Sequence, residues 1–421
     1  MTKAQVVVLG AGMVGTGAAL ALQARGFQVA LLDRAGPGGE TSYGNAGVIQ
    51  GEACEPFALP RDVPTLFRIA FGIDNAVTWD WPGLWHAAPS LLAYWRNSAP
   101  DRYRQIATAY AALISRATHD HAGWIDASGS ESLIRREGYR LVFRDQPLFE
   151  SQAQKAERYR VRYGTRFERE DGAALEAAEP ALRRRLAGAI RWHDAWTCRD
   201  PGALVGSYAK VFVARGGELV RAECRGLQQV GGGWRVTTNK GSLEAEHAVV
   251  ALGHWSPEVL SPLGYRVPLV RKRGYHMHFE YPRTSRGSAP HLNLTLIDAD
   301  FSAVYAPMTA GLRILTGADL SRRISEGVPR QLKRAQMAAR ELLDIGEPLE
   351  RDAWSGVRPC MPDMLPLVGS APRHRGLWFN FGHGHQGFTL GPTTGKLLAG
   401  LIDGEPDTVT EQLAPSRLAL S

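Results

Sequence analysis

The stretch QVVVLGAGMVG, Gln5 to Gly15, begins with a continuous apolar run and ends with three glycines spaced G-x-G-x-x-G. A short run rich in β-branched valine predicts a buried strand. Gly10 allows a tight turn, Gly12 lets a phosphate approach the backbone, and Gly15 lets the next helix pack closely on the strand. The stretch therefore predicts the first strand, turn and helix of a dinucleotide-binding fold.

The residues that follow continue the same pattern. Apolar residues from Ala19 to Ala24 predict a helix that ends at Gly26. Phe27 to Leu32 predict a second strand, which closes on Asp33. An acidic residue about twenty residues after the glycines accepts hydrogen bonds from ribose hydroxyls and would repel a 2′-phosphate. The pattern favours NAD or FAD over NADP, and it does not separate the first two because both contain an ADP half.

A polar, glycine-rich loop follows, where an NAD-binding domain would continue with another helix and strand. It reads GPGGETSYGNAGVIQ, Gly36 to Gln50. Its short side chains, among them Thr41, Ser42 and Asn45, suit contacts with a phosphate or with the edge of a flavin ring. By composition alone, a cluster of surface turns is an equal alternative.

Distant segments supply further elements of the same kind. Trp234 to Thr238 and Leu243 to Glu246 alternate as a hairpin does, and AEHAVVALGHWS predicts a buried strand that ends at Gly253. Trp378 to Ile402 contain a glycine-rich turn and then a helix with an apolar stripe. The N-terminus of that helix could face the negative charge of a reduced flavin.

Length and charge limit the class of protein. With 421 residues, 44% hydrophobic and 22% charged, the chain is typical of a globular protein with two or three domains. Its formal net charge is +7, but no long Lys/Arg block stands out, so no nucleic-acid partner is expected. A basic face could equally attract an anionic substrate or an anionic membrane surface.

The cysteines, the N-terminal stretch and the length of the apolar runs indicate a cellular compartment. The cysteines are far apart and form no C-x-x-C pair, which argues against a disulfide framework or a metal site and is compatible with a reducing cytoplasm. A strand begins almost at the N-terminus, which leaves no room for a signal peptide, and no run reaches the roughly 18 apolar residues of a membrane span. We expect a cytoplasmic protein, soluble or peripheral to the inner face of the membrane.

Five motifs occur in the order seen in one family. They are the N-terminal glycine motif, the ETSxxNAG loop, the VVALGxxS strand, the GxRPxxPDxxPLVG segment and the GHGxxGxTxG segment. On these motifs the chain resembles the FAD-dependent D-amino-acid dehydrogenases, within the wider superfamily of D-amino-acid oxidase, glycine oxidase and sarcosine oxidase. The resemblance covers nearly the whole chain, and it is more specific for the superfamily than for the substrate.

The resemblance implies an α/β fold, in which a Rossmann-type FAD-binding domain is joined to a discontinuous α+β substrate domain on a mainly antiparallel sheet. The FAD-binding domain would comprise 1–85, 190–265 and 350–421, and the substrate domain 86–189 and 266–349. Apolar residues at helical spacing in 103–126, and alternation in 136–143 and 275–281, agree with such a second domain.

The resemblance also implies the residues that contact FAD. Cys224 falls where relatives use a backbone amide and carbonyl to bind adenine, although the usual residue there is valine. The complete set of cofactor contacts that the resemblance implies is Gly10, Gly12, Gly15, Asp33, Thr41, Ser42, Asn45, Ala46, Gly47, Cys224, Gly253, Gly384, Gly387, Phe388 and Thr389.

Four residues carry over as substrate contacts. Arg358 matches the arginine that binds the substrate carboxylate, because a guanidinium offers a rigid bidentate fork; bonding to loop carbonyls is the structural alternative. Tyr305 matches a tyrosine on a strand above the flavin, and Tyr275 is a second such tyrosine. His383, flanked by glycines, could tune the flavin or take the amine proton.

The implied reaction is amino-acid catabolism by oxidation of a D-amino acid, or of a cyclic imino acid of the D-proline or hydroxy-D-proline type. A hydride passes from Cα to flavin N5, giving an imine or a 2-oxo acid and ammonia, and the electrons pass to a quinone or another acceptor. Three alternatives stay open: a glycine- or sarcosine-type oxidase that uses O₂, a flavoprotein subunit of a larger dehydrogenase, and an NAD dehydrogenase. The oligomeric state does not follow from the sequence.

Three further features leave alternatives. Cys360 follows Pro359 where sarcosine oxidases carry a nearby cysteine bonded to the flavin, but a small buried thiol beside a non-covalent FAD is favoured. Glu52 or Glu55 could recognise a cationic or hydroxylated side chain, or form a solvated acidic pair. The aromatic run of Trp79, Trp81 and Trp85 is either core or, if exposed, a membrane or partner contact.

Overall fold

The computed structural model describes residues 4–73, 75–284, 287–288, 291–322 and 327–420. Its α-helices are α1 Met13–Ala24, α2 Val63–Ala70, α3 Trp81–Asn97, α4 Pro100–Ala127, α5 Gln146–Tyr163, α6 Gly172–Ala178, α7 Pro201–Ala214, α8 Ser256–Leu260, α9 Arg330–Leu342, α10 Gly387–Ile402 and α11 Thr410–Leu413. Short 3₁₀ turns lie at Glu131–Leu133, Gly253–Trp255, Ser261–Leu263 and Pro415–Arg417.

The strands are β1 Ala4–Leu9, β2 Val29–Asp33, β3 Val48–Ile49, β4 Val77–Thr78, β5 Ile134–Arg135, β6 Tyr139–Phe143, β7 Phe167–Asp171, β8 Gly188–Trp192, β9 Trp196–Cys198, β10 Glu218–Arg221, β11 Cys224–Val230, β12 Gly233–Thr238, β13 Gly241–Val250, β14 Val270–Phe279, β15 Arg283–Thr284, β16 Gly287–Ser288, β17 Leu296–Asp298, β18 Ala303–Met308, β19 Gly311–Leu315, β20 Ala318–Asp319, β21 Trp354–Cys360, β22 Leu367–Ser370 and β23 Leu377–Phe381. They form two large sheets, a three-stranded sheet of β3, β9 and β5, and a two-stranded pair of β15 and β16.

The first sheet has the order β10-β2-β1-β13-β12-β11, with β23 parallel to β13 and β22 antiparallel to β23. At its centre, β1 pairs in parallel with both β2 and β13. Val6 and Val8 enter one hydrophobic core, whereas Val7 and Leu9 enter another on the opposite face. Burial on both faces explains why the sequence of β1 is a continuous apolar run, as parallel strands require.

Helices α1 and α10 pack against each other through glycines. A Cβ atom on Gly17 of α1 would lie 2.8 Å from the carbonyl oxygen of Gly391, and one on Gly395 would lie 2.5 Å from the carbonyl carbon of Gly17. These distances are too short for any side chain, so the glycines permit the close approach of the two backbones. The N-termini of both helices are thereby held on one side of the first sheet.

The second sheet has the order β4-β20-β14-β19-β18-β17-β6-β8-β7, with β21 paired to β14. The pairs β4–β20 and β17–β6 are parallel, and the other pairs are antiparallel. The predicted fold class is confirmed, with the qualification that the second sheet is mixed. β21 lies within 350–421, the segment assigned to the FAD-binding domain, yet it belongs to the second sheet; the division into domains stays a prediction.

Candidate functional site

A cavity of about 1590 Å³ opens between the two sheets. Its wall includes the start of α1, the loop after β2, strands β14 and β21, and the start of α10. The volume exceeds the roughly 300–1,000 Å³ of a typical small-molecule pocket, so the cavity has room for a dinucleotide together with a small substrate.

The turn between β1 and α1 forms one end of this cavity. Gly10 has a φ of 100°, and a Cβ atom on Gly15 would lie 1.8 Å from the Gly10 carbonyl oxygen, so both positions require glycine. The Ala11 amide donates to Asp33 Oδ2 at 2.8 Å, and the Met13 amide donates to Ser42 Oγ at 3.0 Å. The first turn of α1 carries no acidic residue, which fits the binding of a pyrophosphate at this helix N-terminus.

A buried arginine holds the loop that runs along the cavity after Ser42. Arg313 Nη1 donates to the carbonyl oxygens of Tyr43 and Asn45 at 2.8 and 2.7 Å. Its Nε donates to His278 Nε2 at 2.9 Å, and His278 Nδ1 hydrogen-bonds Glu350. Burial, followed by the Arg313 guanidinium, lowers the pKa of His278, so a neutral imidazole bridges the cation and the carboxylate.

Sequence reasoning missed this network. Arg313, His278 and Glu350 lie on β19, on β14 and in the segment after α9, and no motif connects them. The only available signal was the pair of histidines in YHMHFEY, where a strand with one solvent-exposed face would carry charged residues.

Most of the predicted cofactor contacts meet on the cavity wall. Three lie behind the wall: Gly15 packs on Gly10, Gly47 packs on the Cys198 carbonyl, and Thr389 Oγ1 donates to the Val48 carbonyl. The predicted residues that line the cavity are Gly10, Gly12, Asp33, Thr41, Ser42, Asn45, Ala46, Cys224, Gly253, Gly384, Gly387 and Phe388. The wall therefore provides two helix N-termini and a polar loop to an elongated anionic ligand, and these residues fit FAD.

Arg358 lies on the cavity wall, where its side chain is partly buried. Nη1 donates to the Gly317 carbonyl at 2.7 Å and Nη2 to the Thr316 carbonyl at 3.2 Å. A Cβ atom on Gly274 would lie 2.7 Å from Nη2, so this glycine leaves space for the guanidinium over β14. Burial lowers the pKa of Arg358, and no carboxylate pairs with it among the described residues. A guanidinium has five N–H donors, so donors remain for a ligand.

A second cation lies next to Arg358. Lys272 is opposite Arg358 in the β14–β21 register, and its Nζ lies 4.4 Å from the centroid of the Tyr94 ring. Both cationic residues line the cavity, together with Cys360. This part of the wall favours an anionic group such as a carboxylate, because a buried cation is stabilised by a counter-charge.

The other predicted substrate contacts have internal partners. His383 Nε2 hydrogen-bonds Thr394 Oγ1 at 2.9 Å, and burial lowers the pKa of this cavity-lining histidine to about 3. Tyr275 also lines the cavity, and its hydroxyl donates to Asp319 at 2.6 Å. Tyr305 is fully buried in the core of the second sheet, behind the cavity wall, and its hydroxyl donates to Asp298 at 3.1 Å. The roles of these three residues stay predictions.

The two glutamates differ in their surroundings. Glu55 accepts hydrogen bonds from the hydroxyls of Tyr159 and Tyr163 and forms an ion pair with Arg162. Glu52 is buried and faces the cavity, and one of its oxygens has no partner among the described residues. They are therefore not a solvated acidic pair.

Comparison with known proteins agrees with this arrangement. The family model described as FAD dependent oxidoreductase, DAO, matches residues 5–401. The chain is 31% identical to a D-amino-acid oxidase of Bradyrhizobium diazoefficiens, over 98% of both chains, and 30% identical to a D-amino acid dehydrogenase of Paramagnetospirillum magneticum, over 96% of both. Glycine oxidase from Geobacillus kaustophilus shares the fold with a TM-score of 0.74 at 19% identity, covering 99% of this chain and 100% of that one.

A cavity that presents two helix N-termini beside the parallel strands β1, β2, β13 and β23 indicates a dinucleotide-binding protein of the Rossmann class. The chain belongs to the DAO family of FAD-dependent oxidoreductases. FAD is accordingly its cofactor. In the described ranges no group of three or more His, Cys, Asp or Glu side chains is arranged to hold a metal ion, and no described helix is long and apolar enough to cross a bilayer.

Proposed function

We propose that the protein oxidises a D-amino acid to an imine, which is released or hydrolysed to a 2-oxo acid and ammonia, or a cyclic imino acid of the D-proline type to a cyclic imine, whose hydrolysis opens the ring without releasing ammonia. The single observation that carries this proposal is Arg358, a buried guanidinium with free donors on the wall of the flavin cavity. Bound FAD supplies the hydride acceptor. The protein contributes binding, orientation and exclusion of water.

Arg358 binds the substrate carboxylate. Its two hydrogen bonds to the Gly317 and Thr316 carbonyls fix the plane of the guanidinium, so the substrate meets a rigid fork. Lys272 on the neighbouring strand adds positive charge to the same wall. Because no carboxylate among the residues that the structure describes pairs with this guanidinium, a bound substrate supplies a counter-ion and gains a strong charge-assisted contact.

His383 adds no charge to the cavity wall at neutral pH. Its low pKa, caused by burial, leaves the imidazole uncharged at neutral pH and makes it a weak proton acceptor for a substrate ammonium. The Tyr275 hydroxyl is engaged with Asp319, so it can receive a hydrogen bond from the substrate without giving up its own proton. We infer that a substrate either binds with its amine already neutral or loses the ammonium proton to water.

The names of the relatives support an amino-acid substrate without fixing its configuration. The curated relatives are called D-amino-acid oxidase and D-amino acid dehydrogenase. The structural neighbours include glycine oxidase and an L-proline dehydrogenase of P. horikoshii, the latter with a TM-score of 0.72 at 16% identity over 99% of this chain. The choice of D-amino acids therefore rests on the relatives at about 30% identity.

The electron acceptor is proposed from an exposed apolar surface. Val63 and Phe67 lie on the outer side of α2, whereas Ile69 on the same helix lines the cavity. Trp81 and Trp85 at the start of α3 are 66% and 75% exposed. An apolar surface this close to the flavin cavity suits a peripheral membrane contact and a quinone acceptor, and the net charge of +7 suits anionic headgroups.

Anaerobic reduction of the flavin tests the proposed reaction. The purified yellow protein is mixed with D-, L- and cyclic imino acids, and bleaching of the visible flavin band is followed without any acceptor. Bleaching by D-amino or D-imino acids supports the proposal. Bleaching by none of them indicates a subunit that depends on partners, and stoichiometric peroxide on re-oxidation in air indicates an oxidase.

Arg358→Ala and Arg358→Lys sharpen this test. Arg358→Ala should retain FAD but lower kcat/KM by at least about 30-fold, because a buried charge pair contributes roughly 2–5 kcal/mol. Arg358→Lys should recover only part of the loss, since an ammonium cannot make the bidentate contact. Unchanged kinetics in Arg358→Ala would exclude Arg358 as the carboxylate site.

Flotation with lipid vesicles tests the acceptor. The protein should float with vesicles that contain anionic lipid, and Trp81→Ser combined with Trp85→Ser should abolish flotation without changing anaerobic flavin reduction. If the protein does not float with vesicles and is re-oxidised by a water-soluble acceptor alone, the proposed membrane contact is refuted.

A further inference from the structure

An unpartnered carboxyl oxygen marks the wall of the cavity away from Arg358. Glu52 is 3% exposed and lines the cavity. Its Oε1 accepts from the side-chain Nε2 of Gln50 at 2.8 Å and from the Tyr139 hydroxyl at 2.9 Å, whereas Oε2 has no hydrogen-bond partner in the described part of the chain. Buried polar atoms are nearly always hydrogen-bonded, so an exception on a cavity wall indicates a donor that arrives with a ligand.

The contacts of Glu52 fix its orientation. Gln386 Nε2 donates to Gln50 Oε1 at 2.7 Å, and Gln50 in turn donates to Glu52. The chain of amides begins one residue before α10 and ends on the same carboxylate oxygen that Tyr139 contacts. Two donors on one oxygen hold the carboxyl rigid and leave the second oxygen available, which is the geometry of a built subsite rather than of a mobile surface acid.

The Glu52 carboxyl and the Arg358 guanidinium lie beside different strands of the second sheet. The Arg358 guanidinium lies over Gly274 of β14, and Tyr139 belongs to β6. The sheet order β14-β19-β18-β17-β6 separates these strands by four spacings, or roughly 19 Å at about 4.8 Å each. Side chains that extend into the cavity from both strands shorten the gap. A substrate that reaches both sites must carry a long side chain.

We propose that Glu52 is a specificity-determining residue that binds the cationic end of a substrate side chain, so that preferred substrates are amino acids ending in a guanidinium or an ammonium. The inference rests on the proposed function, in which Arg358 binds the α-carboxylate. A cation is the partner that best offsets the cost of a buried carboxylate, and neither of the two groups on Oε1 is charged. Glu55 on the same wall needs no such partner, because its oxygens are already bonded.

The test compares substrates of matched shape on the holoenzyme. D-Arginine is paired with D-citrulline, and D-lysine with D-norleucine, in anaerobic flavin reduction. Glu52→Gln keeps the size of the side chain and the contacts on Oε1, and Glu55→Gln is the matched control. Calorimetric titration of the same amino acids measures binding independently of turnover.

The wild-type protein should prefer each cationic substrate over its neutral partner. Glu52→Gln should lower kcat/KM for D-arginine by at least about 30-fold, mainly through KM, and should leave D-citrulline within about threefold. Glu55→Gln should leave the ratio unchanged. Equal use of cationic and neutral partners by the wild type, or an equal loss for both in Glu52→Gln, would overturn the proposal. If no amino acid reduces the flavin, the proposed reaction fails, and calorimetry still decides whether Glu52 discriminates cations.

Discussion

Replacement of Arg313 by methionine should loosen the flavin loop, the segment that runs along the cavity after Ser42, from the second sheet. The side chain is 3% exposed and donates three hydrogen bonds, to the carbonyls of Tyr43 and Asn45 and to His278. Hydrogen bonds to a charged donor contribute about 1.5–3 kcal/mol each, and the removal of a buried charge recovers part of that sum. We therefore expect Arg313→Met to lower the free energy of unfolding by roughly 3–5 kcal/mol.

The same change should weaken FAD binding. Once Tyr43 and Asn45 lose their anchor, their backbone must be ordered again when the cofactor binds, at about 1–2 kcal/mol per residue. The Kd for FAD should therefore rise by roughly 30-fold to 1,000-fold. The Kd of Arg313→Lys for FAD should fall between those of the wild type and Arg313→Met, because an ammonium cannot reach all three acceptors in the geometry of the guanidinium.

Urea unfolding of the apoprotein measures the first effect, and quenching of flavin fluorescence on reconstitution measures the second. Arg140→Met is the control, because Arg140 is buried in the same sheet but pairs with Glu170 and Glu179, and it lies off the cavity wall. It should be destabilised by a comparable amount and should bind FAD normally. An unchanged FAD affinity in Arg313→Met, or an equal loss in Arg140→Met, would refute the reasoning.

Three further predictions concern the glycines, Glu52 and Cys360. Gly15→Ala should abolish FAD retention, since its Cβ would lie 1.8 Å from the Gly10 carbonyl oxygen, whereas Gly123→Ala, in open space on α4, should raise the free energy of unfolding by about 1 kcal/mol; urea titration and flavin content check both. Burial raises the pKa of Glu52 from 4.5 to about 7, so its contribution to apoprotein stability is fully present below pH 4.5 and is lost as the pH rises through about 7. The free energy of unfolding of Glu52→Gln, measured relative to that of the wild type, should accordingly rise by up to roughly 3 kcal/mol between about pH 5 and about pH 8. A difference that does not change with pH would contradict the raised pKa. Cys360 lines the cavity but should form no bond to the flavin, so acid precipitation should leave the flavin in the supernatant, and a yellow pellet that turns colourless in Cys360→Ser would show the opposite.

The first sheet illustrates what a local pattern can predict. The apolar run of β1, the positions that require glycine and the acidic end of β2 are consequences of backbone geometry within about thirty residues, and each is found as expected. The hairpin of β12 and β13 was equally predictable, because its alternation and turn are local. The second sheet was harder, since the alternation in 275–281 indicates a strand but not what covers its polar face, and β14 is buried along Tyr275 to Phe279 on both faces.

The sequence by itself determined the class of cofactor and named the arginine now found on the cavity wall. Those features follow from short motifs whose residues lie close together in the sequence. Only the tertiary structure decided the partners of the polar residues: Arg313 anchors the flavin loop, Tyr305 turns into the sheet core, and Glu52 rather than Glu55 keeps an oxygen free. Periodicity records which face of an element is apolar, but it carries no information on which distant side chain lies opposite. That choice is made by the packing of the second sheet over the first, and it turns a buried charge into an anchor or a binding site.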